Sequence, residues 1–308
     1  MIVDTYKKQL SILNDLGNSL PTEYVCPFCL RQYTDASLIS LEDAPQEALG
    51  GSKIALTCTS CNNRYGGLID CHLVNYIVDS EDKKLPAGLN RPFIFNDPKT
   101  GQKVRGTLRT DKEKMEIVLL GKVNNPEILE NEIKTIRPNS LIFAEMQTNQ
   151  QKRVPQNIAA ALLKNAYIIL FSYFGYSFIA NPFYNRIRQQ IDNPSEDIIP
   201  EGLILREGVF DRVSDGVYVC DEKPLRGFFT VFTLEKREKH KYAVFIPGLS
   251  NSFEEAISRL REICKGDKVL LHPVQKDNGF WDNKEVIKAV MDWSLSSNMC
   301  WSEVLKVK

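Results

Sequence analysis

Apolar and polar positions change period several times along this chain, and each change marks an element. Leu10, Ile12, Leu13, Leu16 and Leu20 recur at helical spacing and predict an amphipathic helix over residues 1–20, stopped near Gly17 or Pro21. From Val25 the order is turn, short strand, Gly50-Gly51 turn, strand over Ile54–Thr57, second turn, then a helix toward Tyr76. Gly66-Gly67 is a candidate break in that helix. Alternation returns through Val104–Arg109 and Met115–Leu120, with a turn at Asp111–Lys114, which predicts an antiparallel hairpin; Ile142–Met146 offers a further strand. Ala159, Leu162, Leu163, Ala166, Tyr167, Ile169, Leu170 and Phe174 then build a wide apolar face, the signature of a helix buried at the centre of a domain. Strands follow over Gly216–Cys220, Gly227–Leu234 and Tyr242–Ile246. A helix over Ser252–Cys264 comes next, with Ser252 as N-cap and Glu255 as its capping-box partner.

This succession describes an α+β chain in three segments. Residues 1–80 hold the first helix and the β-β-α unit, residues 81–150 a small antiparallel β segment, and residues 151–308 an α+β domain around the apolar helix. With 43% of 308 residues hydrophobic and 25% charged, the chain has enough apolar surface for more than one core. Formal net charge is zero, so any contact with nucleic acid must come from local basic patches rather than the overall field. The longest uncharged apolar run, between Asn165 and Asn181, is shorter than the ~20 residues that span a bilayer, which points away from a membrane protein. Met1–Leu20 carries Asp4, Lys7, Lys8 and Asp15 and lacks the layout of a secretion signal, so a cytoplasmic location is expected.

Four of the eight cysteines fall in two C-x-x-C pairs, Cys26-Pro27-Phe28-Cys29 and Cys58-Thr59-Ser60-Cys61. Each pair presents two thiolates from one tight turn, and two such turns close a tetrahedral shell around Zn²⁺. A closed shell of four sulfurs leaves no coordination position for substrate, so this metal is expected to hold the fold and not to catalyse. Cys71, Cys220, Cys264 and Cys300 are scattered and carry no such pattern.

Between the two pairs stands Leu41-Glu42-Asp43-Ala44-Pro45-Gln46-Glu47-Ala48-Leu49-Gly50-Gly51, and Asn62-Asn63-Arg64 follows the second. Knuckle, acidic strand end, Gly-Gly turn and C-x-x-C-N together resemble the HNH endonuclease family over residues 24–76, about a sixth of the chain. The resemblance implies a zinc-stabilised ββα-metal core that hydrolyses phosphodiesters. It makes Glu42 and Asn62 ligands of a catalytic Mg²⁺ or Mn²⁺ and puts Asp43 where relatives carry the histidine that deprotonates water. Asp43 departs from the family pattern, because carboxylates titrate near ~4 and are weaker bases at neutral pH. Asp70 and His72, downstream on the expected helix, are further candidates for the metal, although packing is the commoner role of such a histidine.

Arg31, Lys53 and Arg64 lie in the knuckle region, and Lys99, Lys103, Arg105 and Arg109 on or near the hairpin; alternation sets Lys103, Arg105 and Arg109 on one strand face. The resemblance therefore implies a metal-dependent endonuclease of the kind found in restriction, phage-defence and mobile-element proteins. Its partner would be nucleic acid, DNA in the first instance, and residues 81–308 would choose substrate, a protein partner or a second copy of the chain. The alternative reading is a catalytically inactive HNH-like zinc module that binds nucleic acid or protein.

Overall fold

The computed structural model describes residues 23–82, 88, 90–96, 101–111, 114–135, 153–179, 182–206, 208–248 and 252–274. The helix predicted over 1–20 and the strand predicted over 142–146 lie outside these residues. The described chain is mixed α+β, and all its sheets are antiparallel.

Two minimal strands, β1 (Tyr24–Val25) and β2 (Gln32–Tyr33), flank the first C-x-x-C turn, and β3 (Ile39–Asp43) pairs with β4 (Lys53–Cys58). The register of the β3–β4 pair shifts at Glu42/Asp43, a bulge that re-aims the end of β3. Gly50 at φ 80° supplies the left-handed turn between them. Gly51 is required for space: a Cβ there would lie 1.7 Å from the Pro45 carbonyl oxygen. Helix α1 (Thr59–Tyr65) follows, and the Gly66-Gly67 pair does not end it. A π-helical turn over Gly66–Asp70 carries the chain into α2 (Cys71–Asp82). The wider turn buries Ile69 completely and directs the Asp70 carboxylate inward.

Contacts divide the chain into two compact units: residues 1–74 with 154–308, and residues 75–153. Described residues from the first quarter and from the second half of the sequence thus fold together as one unit, and the segment between them in sequence forms the other. The inserted unit contains the sheet β5 (Asn90–Asn96), β6 (Lys103–Thr110) and β7 (Met115–Leu119), ordered 5-6-7, and the helix α3 (Pro126–Thr135). Its Asp79 is 7% exposed and is neutralised by Arg91 at 3.3 Å and by Arg153.

In the larger unit the apolar face of 155–174 becomes α4 (Pro155–Phe174), with Pro155 at its first turn and Gly175 at its C-cap. By length and composition α4 could cross a membrane, but 83% of its most apolar stretch is buried inside the protein. Helices α5 (Tyr176–Ile179) and α6 (Asn185–Asp192) follow. A five-stranded sheet comes next, β8 (Ile204–Leu205), β9 (Gly216–Cys220), β10 (Gly227–Glu235), β11 (Lys239–Pro247) and β12 (His272–Val274), in the order 12-9-10-11-8. Central strand β10 is covered on both faces, which explains its near-continuous apolar run. Phe228 meets Phe174 of α4 at 4.9 Å, while Phe229 meets Phe245 at 4.8 Å in a cluster closed by Ala256, Leu260 and Ile263 of α7 (Phe253–Cys264). Ser252 is the N-cap residue of α7, but its side chain makes no capping hydrogen bond.

Two glycine substitutions separate space from helix propensity. Gly51→Ala is expected to cost at least about 3 kcal/mol, because a backbone carbonyl must move. Gly66→Ala, where a Cβ meets nothing within 4 Å, is expected to be neutral or to gain up to about 1 kcal/mol. Thermal and urea unfolding of the two variants checks both.

Candidate metal centre

The sulfurs of Cys26, Cys29, Cys58 and Cys61 lie within 4.8 Å of one another. A tetrahedral zinc with ~2.3 Å bonds requires sulfurs about 3.8 Å apart, and Cys29 Sγ and Cys58 Sγ are separated by 3.9 Å. Local sequence builds both halves. In the first turn the Cys26 amide bonds to Arg31 O and Leu30 N to Cys26 O, with Leu30 held at φ 54°. In the second, Cys58 is the N-cap of α1 and its sulfur accepts the Cys61 amide at 3.4 Å, so the helix N-terminus faces the sulfurs. Cys26 Sγ accepts the Cys58 amide at 3.4 Å. Burial pushes the Cys26 thiol up, and four thiolates this close need a divalent cation to coexist. The donor set fits a structural zinc, which would hold the two turns together.

The same turns are clasped from the larger core. Tyr167 of α4 donates to Pro27 O at 2.6 Å and accepts from buried Arg188 at 2.8 Å, while Tyr176 Oη accepts the Val25 amide at 3.1 Å. Phe28 packs on Tyr65 and Tyr167 with ring centroids 4.6 and 5.7 Å away. Tyr65 in turn donates to Asp192 at 2.5 Å.

Beneath β3 lies a second cluster. Glu42 is fully buried; its Oε1 stands 2.6 Å from Lys164 Nζ and its Oε2 accepts Thr57 Oγ1 at 3.1 Å. Lys164, buried in mid-α4, also meets Asp70 Oδ2 at 2.5 Å. Gln46 donates to Asp70 Oδ1 at 2.7 Å and exchanges hydrogen bonds with Asn165 at 3.2 Å. Two carboxylates therefore share one ammonium, leaving a negative charge in excess. Burial raises the Glu42 pKa against the lowering effect of Lys164. Burial would lower the Lys164 pKa, yet Asp70 and Glu42 outweigh it and hold the ammonium charged.

The remaining sequence candidates lie elsewhere. The Asp43 carboxylate accepts the Glu47 amide and fastens the turn after β3. Asn62 donates to Ser40 Oγ and to Leu41 O, each at 3.0 Å, and shares no partner with Glu42. His72 is buried, and its Nδ1 has no hydrogen-bond partner among the described residues. The structure thus joins Glu42 and Asp70 through Lys164 and leaves Asp43, Asn62 and His72 outside that cluster. Lys164, Asn165, Gln46 and Thr57 are the participants that motif reasoning passes over. Their one signal in the sequence is the charged and polar pair Lys164-Asn165 inside an apolar helix, since a buried charge requires a partner. Comparison with family models, curated proteins and solved structures finds no match to this chain.

Metal analysis of the purified chain is expected to find one zinc, lost in Cys58→Ser together with a fall in melting temperature. Lys164→Met leaves the buried Glu42 and the partly buried Asp70 without a counter-charge and is expected to cost about 3–5 kcal/mol. Glu42→Gln works in the opposite sense. Because folding raises the Glu42 pKa, the stability Glu42 contributes is full below its ordinary value of 4.5 and is lost as pH rises through the folded value. The stability of Glu42→Gln relative to the parent should therefore increase as pH rises from 4.5 and level off once the folded value is passed, as urea unfolding at stepped pH will show.

Proposed function

We propose that this chain is a nucleic-acid-binding protein in which an HNH-like zinc unit serves as a rigid scaffold and not as a phosphodiesterase. One observation carries the reading: Glu42, the ligand that the resemblance assigns to a catalytic Mg²⁺ or Mn²⁺, is fully buried and paired with Lys164 at 2.6 Å. A catalytic divalent metal keeps several waters and needs an accessible site. Glu42 instead faces a protein ammonium, and a cation entering there would have to expel Lys164 into an apolar helix face. The residues do not fit such a metal.

The two other catalytic candidates are likewise engaged in holding structure. Asp43 secures the turn through the Glu47 amide, and Asn62 ties α1 to β3 through Ser40 and Leu41. Exposed basic surface, by contrast, is open to a ligand. Arg31 and Lys53 of the zinc unit are exposed, whereas Arg64 is tied to Asp192 at 3.1 Å; Lys103, Arg105 and Arg109 are exposed on β6. Phosphate contacts from such residues supply most of the affinity for nucleic acid.

Incubation of plasmid DNA with the zinc-loaded chain and Mg²⁺ or Mn²⁺ tests the proposal beside a gel-shift assay at low salt. Retarded but uncut DNA is the expected result. Divalent-dependent cleavage that disappears in both Asp43→Ala and Asn62→Ala would replace the proposal with an endonuclease that uses a carboxylate as base.

A further inference from the structure

We infer that the outward face of the β5–β6–β7 sheet is a docking surface for the phosphate backbone of duplex nucleic acid. The inference rests on the nucleic-acid-binding reading above and deepens it by naming the surface. Strand β6 alternates exposed and buried positions: Lys103, Arg105 and Arg109 are exposed while Val104, Gly106 and Leu108 are buried. The three cations therefore project from one face, Lys103 and Arg105 being two residues and roughly 7 Å apart along the strand. Their side chains make no ion pair or hydrogen bond with any described residue. That sets them apart from Arg91 and Arg153, which are spent on Asp79.

Cross-strand register fixes what else shares the face. Asn90 and Glu116 lie opposite Arg109, Pro92 and Val118 opposite Thr107, and Ile94 opposite Arg105. Among these positions Glu116 is the sole carboxylate, so three cations stand against one acid. None of these neighbours is aromatic. Stacking platforms for single-stranded bases depend on aromatic rings, whereas a row of cations along a strand suits the regularly spaced phosphates of a duplex. The row is also held in place. Beyond the end of β7, Asn124 substitutes for a strand, accepting the Arg105 amide and donating to Arg105 O, each at 2.7 Å, and donating to Leu120 O at 2.7 Å. The Arg105 backbone is thereby fixed on the side where its neighbouring strand has ended, which sets where its side chain leaves the sheet.

The test is fluorescence anisotropy of the full zinc-loaded chain with a labelled duplex of arbitrary sequence, the corresponding single strand, and vesicles containing phosphatidylserine, over 50–200 mM salt as a working range in which phosphate contacts are resolved. The triple variant K103Q/R105Q/R109Q is compared with the charge-conserving K103R/R105K/R109K, which controls for folding. Duplex binding is expected to weaken in the first variant only. Its plot of log affinity against log salt should be shallower by about 0.9 per lost phosphate contact, or about 2.7 for three. Undiminished duplex binding by the glutamine variant would overturn this surface while leaving the nucleic-acid reading in place, with Arg31 and Lys53 as its next candidates. Absence of duplex binding by the parent chain at 50 mM salt would overturn both. Preference for the single strand or the vesicles at equal phosphate would overturn the duplex assignment.

Discussion

A lysine ammonium inside an apolar helix cannot be left without a counter-charge, and the larger unit is arranged to supply one. Lys164 sits in the middle of α4, whose neighbouring positions are buried, and its charge is met by Glu42 from β3 and Asp70 from the π-helical turn. The desolvation cost of such a cluster is roughly offset by its internal attraction, so its consequence lies in geometry more than in net stability. Displacing β3 or the turn from α4 would strand charge in an apolar environment. The cluster thereby selects one seating of the zinc unit on the helix, and Gln46 and Asn165 extend that selection through hydrogen bonds that need both partners.

The four-sulfur site and the tyrosine clasp complete this seating. Each C-x-x-C turn is too short to have a core of its own, and a shared cation would link them where apolar burial cannot. Tyr167, held by Arg188, and Tyr176 then bind the first turn to the large core through the backbone groups Pro27 O and Val25 N. The ring of Phe28, lying against Tyr65 and Tyr167, fills the space between. A small metal unit with little independent stability is in this way built into a domain whose sheet and helices carry the bulk of the apolar burial.

This arrangement bears on chemistry. A hydrolytic centre needs acidic side chains that reach water and a metal, whereas here the buried carboxylate is occupied by the cation that anchors the unit. An acidic side chain at a strand end can thus serve as a metal ligand or as the counter-charge of a lysine. Which role it takes depends on what the next layer of structure places against it.

Most local structure was legible in the residues. The period-two alternation of Val104–Arg109 and Met115–Leu120 became β6 and β7, and the apolar face of 155–174 became the buried α4. The two C-x-x-C spacings identified four sulfurs that the fold brings within 4.8 Å. These features rest on interactions within a turn, a strand or one helix face, so spacing alone determines them. Gly66-Gly67, read as a break, became a π turn because tertiary packing required Ile69 and Asp70 to point inward and two glycines offered no resistance. The joining of the chain's first quarter and second half into one unit, and the partners of Glu42 and Asp70, were beyond sequence reasoning for the same reason. Lys164 is separated from both carboxylates by the whole inserted unit, and only the burial of α4 against β3 and the π turn makes their charges neighbours.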